Sequence, residues 1–181
     1  MRKCIIMLSL LLFVVAARAS AQEGPGFEVS GNYNFIRTNP GGGASGFNCH
    51  GFGGTAAVDA NRWVGIVGDF GGCKVTGLPS GTSSTAWTYL FGPRIFLAGN
   101  SRISPYAQVL FGGERLSSSV SGFLSTASTS FAMTFGGGLD IRATKHVSIR
   151  PIQTEYLYTK FGTTHQNNLR IESGLVYRFG R

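Results

Sequence analysis

The sequence predicts an all-β fold, an antiparallel up-and-down barrel of eight strands that crosses a membrane. Three observations predict it. Apolar residues recur at every second position in one segment after another, the opposite parity of those segments carries charges, and Gly/Ser/Thr/Asn stretches alternate with short turn signals between them. A sheet that is apolar on one face and ionic on the other suits a wall with hydrocarbon outside and a polar interior. Closing it into a barrel leaves no unpaired backbone edge in the lipid. The 27 Gly and 14 Phe fit closely packed, bent strands better than helices, whose interiors Gly weakens.

The first segment stands apart from that wall. Arg2 and Lys3 precede an apolar block from Ile5 to Ala17, and Ala19-Ser20-Ala21 follows, the layout of a cleavable secretory signal cut after Ala21. The block is shorter than the roughly 20 residues a spanning helix needs, and no later stretch offers a helical span. Residues 1–21 are therefore expected to be removed, and residues 22–181 to form one barrel domain. Removing Arg2, Lys3 and Arg18 lowers the formal net charge from +8 to +5. The remaining basic residues are scattered, which argues against nucleic acid and for Arg in a polar interior and at membrane edges. Cys4 leaves with the signal, and no lipidation motif places it at a cleavage point. Cys49 and Cys73 remain, in an oxidising compartment where two cysteines usually pair.

Gly26 to Ile36 is the first strand, with Phe27, Val29, Gly31, Tyr33 and Phe35 on one face and Glu28, Ser30, Asn32 and Asn34 on the other. Arg37 to Gly46, with Asn39-Pro40 and three successive Gly, is expected to be a loop. Phe47 to Val58 and Trp63 to Cys73 form a hairpin about Asp59-Ala60-Asn61-Arg62. With Asp59 facing Trp63, Cys49 falls directly opposite Cys73, within disulfide reach. In that register Thr55, Asp69 and both Cys face in, whereas Phe52, Val58, Val64, Ile66 and Phe70 face out.

Lys74 to Ser84, with Pro79 and Gly81, is expected to be a second loop. Thr85 to Leu97 sets Trp87, Tyr89, Phe91 and Ile95 against Thr88, Gly92 and Arg94. After a turn at Ala98-Gly99-Asn100-Ser101, Ile103 to Leu116 sends Ala107, Val109 and Phe111 out and Gln108, Gly112 and Glu114 in. Ser117 to Ser128 is expected to be a third loop. Phe131 to Arg142 sets Phe131, Met133, Phe135, Leu139 and Ile141 against Thr134, Gly136, Gly138 and Asp140, and Ala143 to His146 turns the chain. Val147 to Phe161 changes parity midway; a bulge at Pro151 lets Arg150 and Glu155 both look inward. Gly162 to Asn167 is the last expected loop. Asn168 to Gly180 closes the barrel, with Leu169, Ile171, Leu175, Tyr177 and Phe179 on one face and Arg170, Glu172, Gly174, Val176 and Arg178 on the other.

Glu172, Gly174, Tyr177 and Phe179 stand in the order polar, x, Gly, x, x, aromatic, x, aromatic, which resembles the C-terminal assembly signal of bacterial outer-membrane barrels. With RWVGIVGDFGG, TYLFGPRIFL, SPYAQVLFGG, FGGGLDIR, VSIRPIQTEYLYTKF and NNLRIESGLVYRFG, nearly all of residues 22–181 resembles the OmpA-like family of eight-stranded outer-membrane barrels. The resemblance implies a bacterial outer-membrane location after export, with the four loops outside the cell and the turns and termini in the periplasm. It also implies contact with outer-membrane lipid and lipopolysaccharide, delivery by the barrel-assembly machinery, no enzymatic activity and no cofactor. Larger members add a periplasmic peptidoglycan-binding domain, for which this chain has no residues to spare.

The inward parity collects Glu28, Asp69, Glu114, Asp140, Glu155 and Glu172 with Arg94, Arg150, Arg170 and Arg178. Charges in so narrow a lumen need partners, so an ion-pair plug is expected; a small ion-conducting pore gated by the same residues is the alternative. A lipid-modifying enzyme would need a nucleophile, a base and an orienting acid at the membrane edge. His50, His146 and His165 are the available imidazoles, and Gln166 stands where deacylase-type barrels have a Ser next to the His. A soluble barrel of the lipocalin type would turn the apolar faces inward around a ligand, against which stands the charged opposite face. Trp63, Trp87, Tyr89, Tyr156 and Tyr158 are expected to anchor the wall at the membrane interfaces. Three scattered His make no metal set. Gly136-Gly137-Gly138 is strand glycine rather than a phosphate loop, because no helix follows it.

Overall fold

The computed structural model describes residues 26–39, 46–77, 82–98, 101–120, 123–161 and 164–179. The expected signal segment with Cys4, the loop residues Pro40, Pro79 and Gly81, the turn residues Gly99 and Asn100, and the final Gly180 lie outside them. Eight strands follow in order: β1 Gly26–Thr38, β2 Phe47–Asp59, β3 Val64–Thr76, β4 Thr82–Phe96, β5 Ile103–Val120, β6 Phe123–Arg142, β7 Val147–Phe161 and β8 Thr164–Phe179. Each pairs antiparallel with the next, and β8 pairs with β1 to close the barrel. The start of β1 and the end of β8 lie at one rim, called here the near end.

The wall is staggered as a closed sheet requires. Following paired residues from Gly26 through Asp59, Gly65, Arg94, Gln108, Gly136, Glu155 and Arg170 leads back to β1 at Ile36, ten residues above the start. Every residue on that path faces the lumen side. Side-chain parity follows the alternation in the sequence: Phe131 and Phe135 are about half exposed on the outer wall, while Asp140 is 1% and Arg178 7% exposed inside. That excludes the inside-out, ligand-holding barrel. The parity change in β7 falls at Pro151, where the register shifts between Arg150 and Gln153 and both Pro151 and Ile152 face out. Proline can sit there because a bulge leaves its missing N–H without a ladder partner to deprive.

The β2–β3 hairpin differs from its expected register. The backbone N–H groups of Ala60 and Asn61 both donate to Val64 O, and Asn61 Oδ1 accepts from the N–H groups of Trp63 (2.8 Å) and Val64 (2.9 Å). These bonds hold Trp63 in the turn, so pairing begins with Asp59 opposite Gly65 rather than Trp63. The ladder slides by two residues, which preserves parity but places Cys49 opposite Val75 and Cys73 opposite Gly51. The cysteines are diagonal neighbours, with Cα atoms 5.5 Å apart, and they form the disulfide. Gly51 makes this possible, since a Cβ there would sit 2.6 Å from Cys73 Cα.

The far-end loops are also shorter than expected. Ser117 to Ser128 is mostly strand: β5 runs to Val120 and β6 starts at Phe123, with Ser117 paired to Ala127 and Ser118 to Thr126. Hydroxyls of Ser83 and Ser119, and of Ser84 and Ser118, lie 2.9 Å apart across β4 and β5. β3 and β4 likewise extend into Lys74 to Ser84, β1 runs past Ile36, and β8 begins at Thr164 within the expected last loop. The connections at this end are residues 39–46, 77–81, 121–122 and 162–163, against 60–63, 97–102 and 143–146 at the near end. The contrast between the two ends therefore lies in strand length, not loop length. Beyond the apolar band both faces of a strand are polar, so period two has nothing to alternate and the sequence looks like a loop.

Candidate functional site

Inward parity brings the charges into one connected network. At the near end, Glu28 meets Arg94, Arg178 (Nε to Oε2, 3.2 Å) and, farther off, Arg150 (3.7 Å). Asp140 accepts two bonds from Arg150, at 2.8 and 3.1 Å, and one from Arg178 Nη2 at 2.9 Å. The guanidiniums of Arg94 and Arg150 also flank the Tyr106 ring, at 4.5 and 4.9 Å from its centroid. Farther up, Arg170 binds Asp69 through both terminal nitrogens (3.0 and 3.2 Å) and Glu155 through Nε (2.8 Å) and Nη2, with Glu172 at 3.7 Å.

Two glutamines join these groups. Arg94 Nε donates to Gln108 Oε1 (2.9 Å), and Gln108 Nε2 donates to Glu155 Oε1 (2.6 Å). Gln153 accepts from Tyr106 and from Arg150 (3.3 Å) and donates to Glu172 at 2.7 Å. The chain Arg94, Gln108, Glu155, Arg170 climbs a single ladder of the staggered wall and crosses β6 at Gly136. A Cβ on Gly136 would lie 3.0 Å from Glu155 Cγ and 2.7 Å from its Cα. Gly138 serves Tyr106 in the same way, because a Cβ there would meet the phenol oxygen at 2.6 Å. Within the network the near end thus holds three arginines with two carboxylates, near a further buried carboxylate at Asp59, and the level above holds one arginine with three carboxylates. The glutamine bridges lie between them.

Glu114 is the lumen charge that the structure sets apart. Among the described residues it has no salt bridge, and its Oε2 has no hydrogen-bond partner. It lines a cavity of about 30 Å³ with the disulfide, Ile36, Val75 and Leu116. The remaining nine predicted lumen charges, Glu28, Asp69, Arg94, Asp140, Arg150, Glu155, Arg170, Glu172 and Arg178, are in the network. Gln108, although read as inward, Gln153 and Tyr106 were not among the candidate residues, because none carries a charge; sharing the lumen parity of the charged residues was the available signal.

The three histidines face away from every described carboxylate. His50 Nδ1 lies 2.6 Å from the Tyr33 hydroxyl, His146 stacks on Tyr177 at 6.0 Å, and His165 stacks on Tyr158 at 6.3 Å. All three are exposed, whereas every acidic side chain of the described residues is buried. Trp63 projects from a near-end turn, Tyr89 from the middle of β4, and Trp87, Tyr156 and Tyr158 from the far halves of their strands. Of the C-terminal motif, Tyr177 and Phe179 face out and touch at 4.7 Å, and Phe179 reaches Phe27 at 5.5 Å. Gly174 lies on the opposite face, where a Cβ would meet Asn32 Oδ1 at 2.5 Å.

A family profile described as "Outer membrane protein beta-barrel domain" matches residues 7–179. The curated proteins contain no match. Among solved structures, Neisserial surface protein A (NspA) is 17% identical with a TM-score of 0.67, covering 88% of this chain and 100% of its own. OprG from Pseudomonas aeruginosa is 12% identical with a TM-score of 0.61 (90% and 99% covered). Ail, the attachment invasion locus protein of Yersinia pestis, is 19% identical with a TM-score of 0.56 (87% and 100% covered). At these identities the likeness is one of fold.

Proposed function

The chain belongs to the outer membrane protein beta-barrel domain family, and from that premise we propose that it is a non-enzymatic outer-membrane barrel whose lumen is sealed and whose work is structural or done at the cell surface. The observation that carries this reading is the network itself: Arg94, Arg150 and Arg170 are 0% exposed, and their partners cross the lumen from wall to wall. A conducting path would have to open ion pairs whose separation leaves charges unsolvated.

In this reading the near end faces the periplasm and the signal segment is removed on export. The far-end strands of β4 to β6 stand above the membrane as a Ser/Thr-rich surface open to outside partners. The barrel-assembly machinery reads Gly174, Tyr177 and Phe179, and lipopolysaccharide surrounds the outer half of the wall. Strands tilted about 40° rise roughly 2.5 Å per residue along the barrel axis. Trp87, nine residues from the near end of β4, then stands roughly 23 Å above Phe96, and Trp63 lies at the opposite interface. Those are the levels at which aromatic anchors sit. The three histidines, each against an aromatic ring and none beside a described carboxylate, support a role without catalysis.

The test is electrical. Purified protein in planar bilayers is expected to stay silent across a range of voltages; discrete conductance steps would replace the sealed barrel with the gated pore. Incubation with lipid A is expected to release no acyl chain.

A further inference from the structure

Seven acidic residues are described, and all seven are buried. The outer wall is therefore basic wherever it is charged. On its far half, His50 and Lys74 are cross-strand partners on β2 and β3, and Arg115 on β5 pairs with Trp87 on β4. All three are exposed, on the outward parity. Immediately toward the near end lies a hollow of about 600 Å³ walled by Phe52, Phe70, Trp87 and Tyr89. Glycine gives it depth. A Cβ on Gly72 would meet the Trp87 ring at 2.7 Å, so the indole packs onto β3 only because that position is glycine, and a Cβ on Gly113 would meet the Tyr89 hydroxyl at 2.5 Å on β5. His50 is held in place by the Tyr33 hydroxyl at 2.6 Å and by the Phe35 ring at 5.0 Å.

We propose that this face holds one phosphorylated acyl lipid of the surrounding membrane, its phosphate on Lys74 and Arg115 beside His50 and one acyl chain in the hollow below. The inference rests on the membrane orientation proposed above and adds a defined place and ligand chemistry to it. Charge complementarity selects an anion, since no described carboxylate on the outer wall offsets these cations. An apolar hollow directly beneath selects an anion that carries a chain, rather than free phosphate. Arg adds a planar donor fork that matches phosphate oxygens.

The chain's two tryptophans, Trp63 and Trp87, provide the test. Trp63→Phe leaves Trp87 to report on the hollow, and Trp87→Phe leaves Trp63 to report on the near end. The mature barrel is reconstituted in phosphatidylcholine vesicles, and fluorescence quenching is measured with dibrominated phosphatidic acid and, separately, with dibrominated phosphatidylcholine. Phosphatidic acid is expected to quench Trp87 with at least fivefold higher apparent affinity. Lys74→Gln and Arg115→Gln should each lower that preference by about fivefold, the loss of one cation near an anionic lipid surface. Arg115→Lys should restore part of it, with gel mobility before and after boiling verifying each fold. Equal quenching of Trp87 by both lipids overturns the site while leaving the barrel in the membrane. A Trp87 shielded from both lipids while Trp63 is quenched means that polypeptide covers the hollow, and also overturns it. If neither tryptophan is quenched, the membrane-spanning reading fails first, and the site with it.

Discussion

The lower and upper parts of the lumen are closed by different physics. From Arg178 up to Arg170 the barrel is filled largely by guanidiniums, carboxylates, the carboxamides of Gln108, Gln153, Asn32 and Asn34, and the Tyr106 ring, and each of the nine networked charges has at least one partner of opposite sign. Above them the filling is mainly apolar, a disulfide with Ile36, Val75, Ala86 and Leu116 beside the uncharged Thr38 and Asn168, and the one carboxylate there, Glu114, stands unpaired among the described residues. An ionic filling needs stoichiometry: remove one member and its partners remain charged in a place without water. An apolar and covalent filling needs only volume and a crosslink. The same wall thus has an intolerant lower section and a tolerant upper one.

Arg170→Met should show that difference most strongly. It leaves Asp69, Glu155 and Glu172 facing one another without their cation, and should cost about 3–5 kcal/mol in urea unfolding from lipid vesicles. A cost under about 1 kcal/mol would mean that the network fills space without contributing to stability. Next comes the crosslink. Replacing Cys49 and Cys73 together by Ala opens a loop with a sequence separation of 24, and the expected loss is about 2–4 kcal/mol in the same assay. The smallest effect, with the opposite sign, is expected at Glu114. Glu114→Gln removes a buried charge that has no salt bridge among the described residues, and stability should stay level or rise by about 1 kcal/mol. Glu155→Gln, the same chemical change two strands away, should cost about 2 kcal/mol or more, because it unbalances Arg170. If these two substitutions behave alike, the division of the lumen into two regimes is wrong.

Which side chains face in was legible from the sequence, because a closed sheet between lipid and lumen imposes one rule on every strand. Leu139 and Asp140 are neighbours in the chain and were assigned to opposite faces, and the structure agrees. Strand length above the membrane was not legible. Ser117, Ser118 and Ser119 pair as strand residues, but nothing apolar marks their phase. Register was only partly legible. Parity survived the two-residue slip of the β2–β3 hairpin, but the slip itself was set by Asn61, whose side chain captures two N–H groups and holds Trp63 in the turn. Within the site, charge identified Arg94 and Glu155 but not the carboxamide of Gln108 between them. That link depends on which strands become neighbours and how far each is staggered.

The bulge at Pro151 divides β7 into two lengths read on opposite beats. Below it the even-numbered side chains look inward, and above it the odd-numbered ones do. Straightening the bulge with Ile152 retained would rotate the upper length by half a pleat, carrying Gln153 and Glu155 into hydrocarbon and Tyr156 and Tyr158 into the bore. Deleting Ile152 would instead leave a regular strand with Gln153 and Glu155 still facing in. The bulge that absorbs one extra residue in one strand therefore keeps the two halves of the interior in phase.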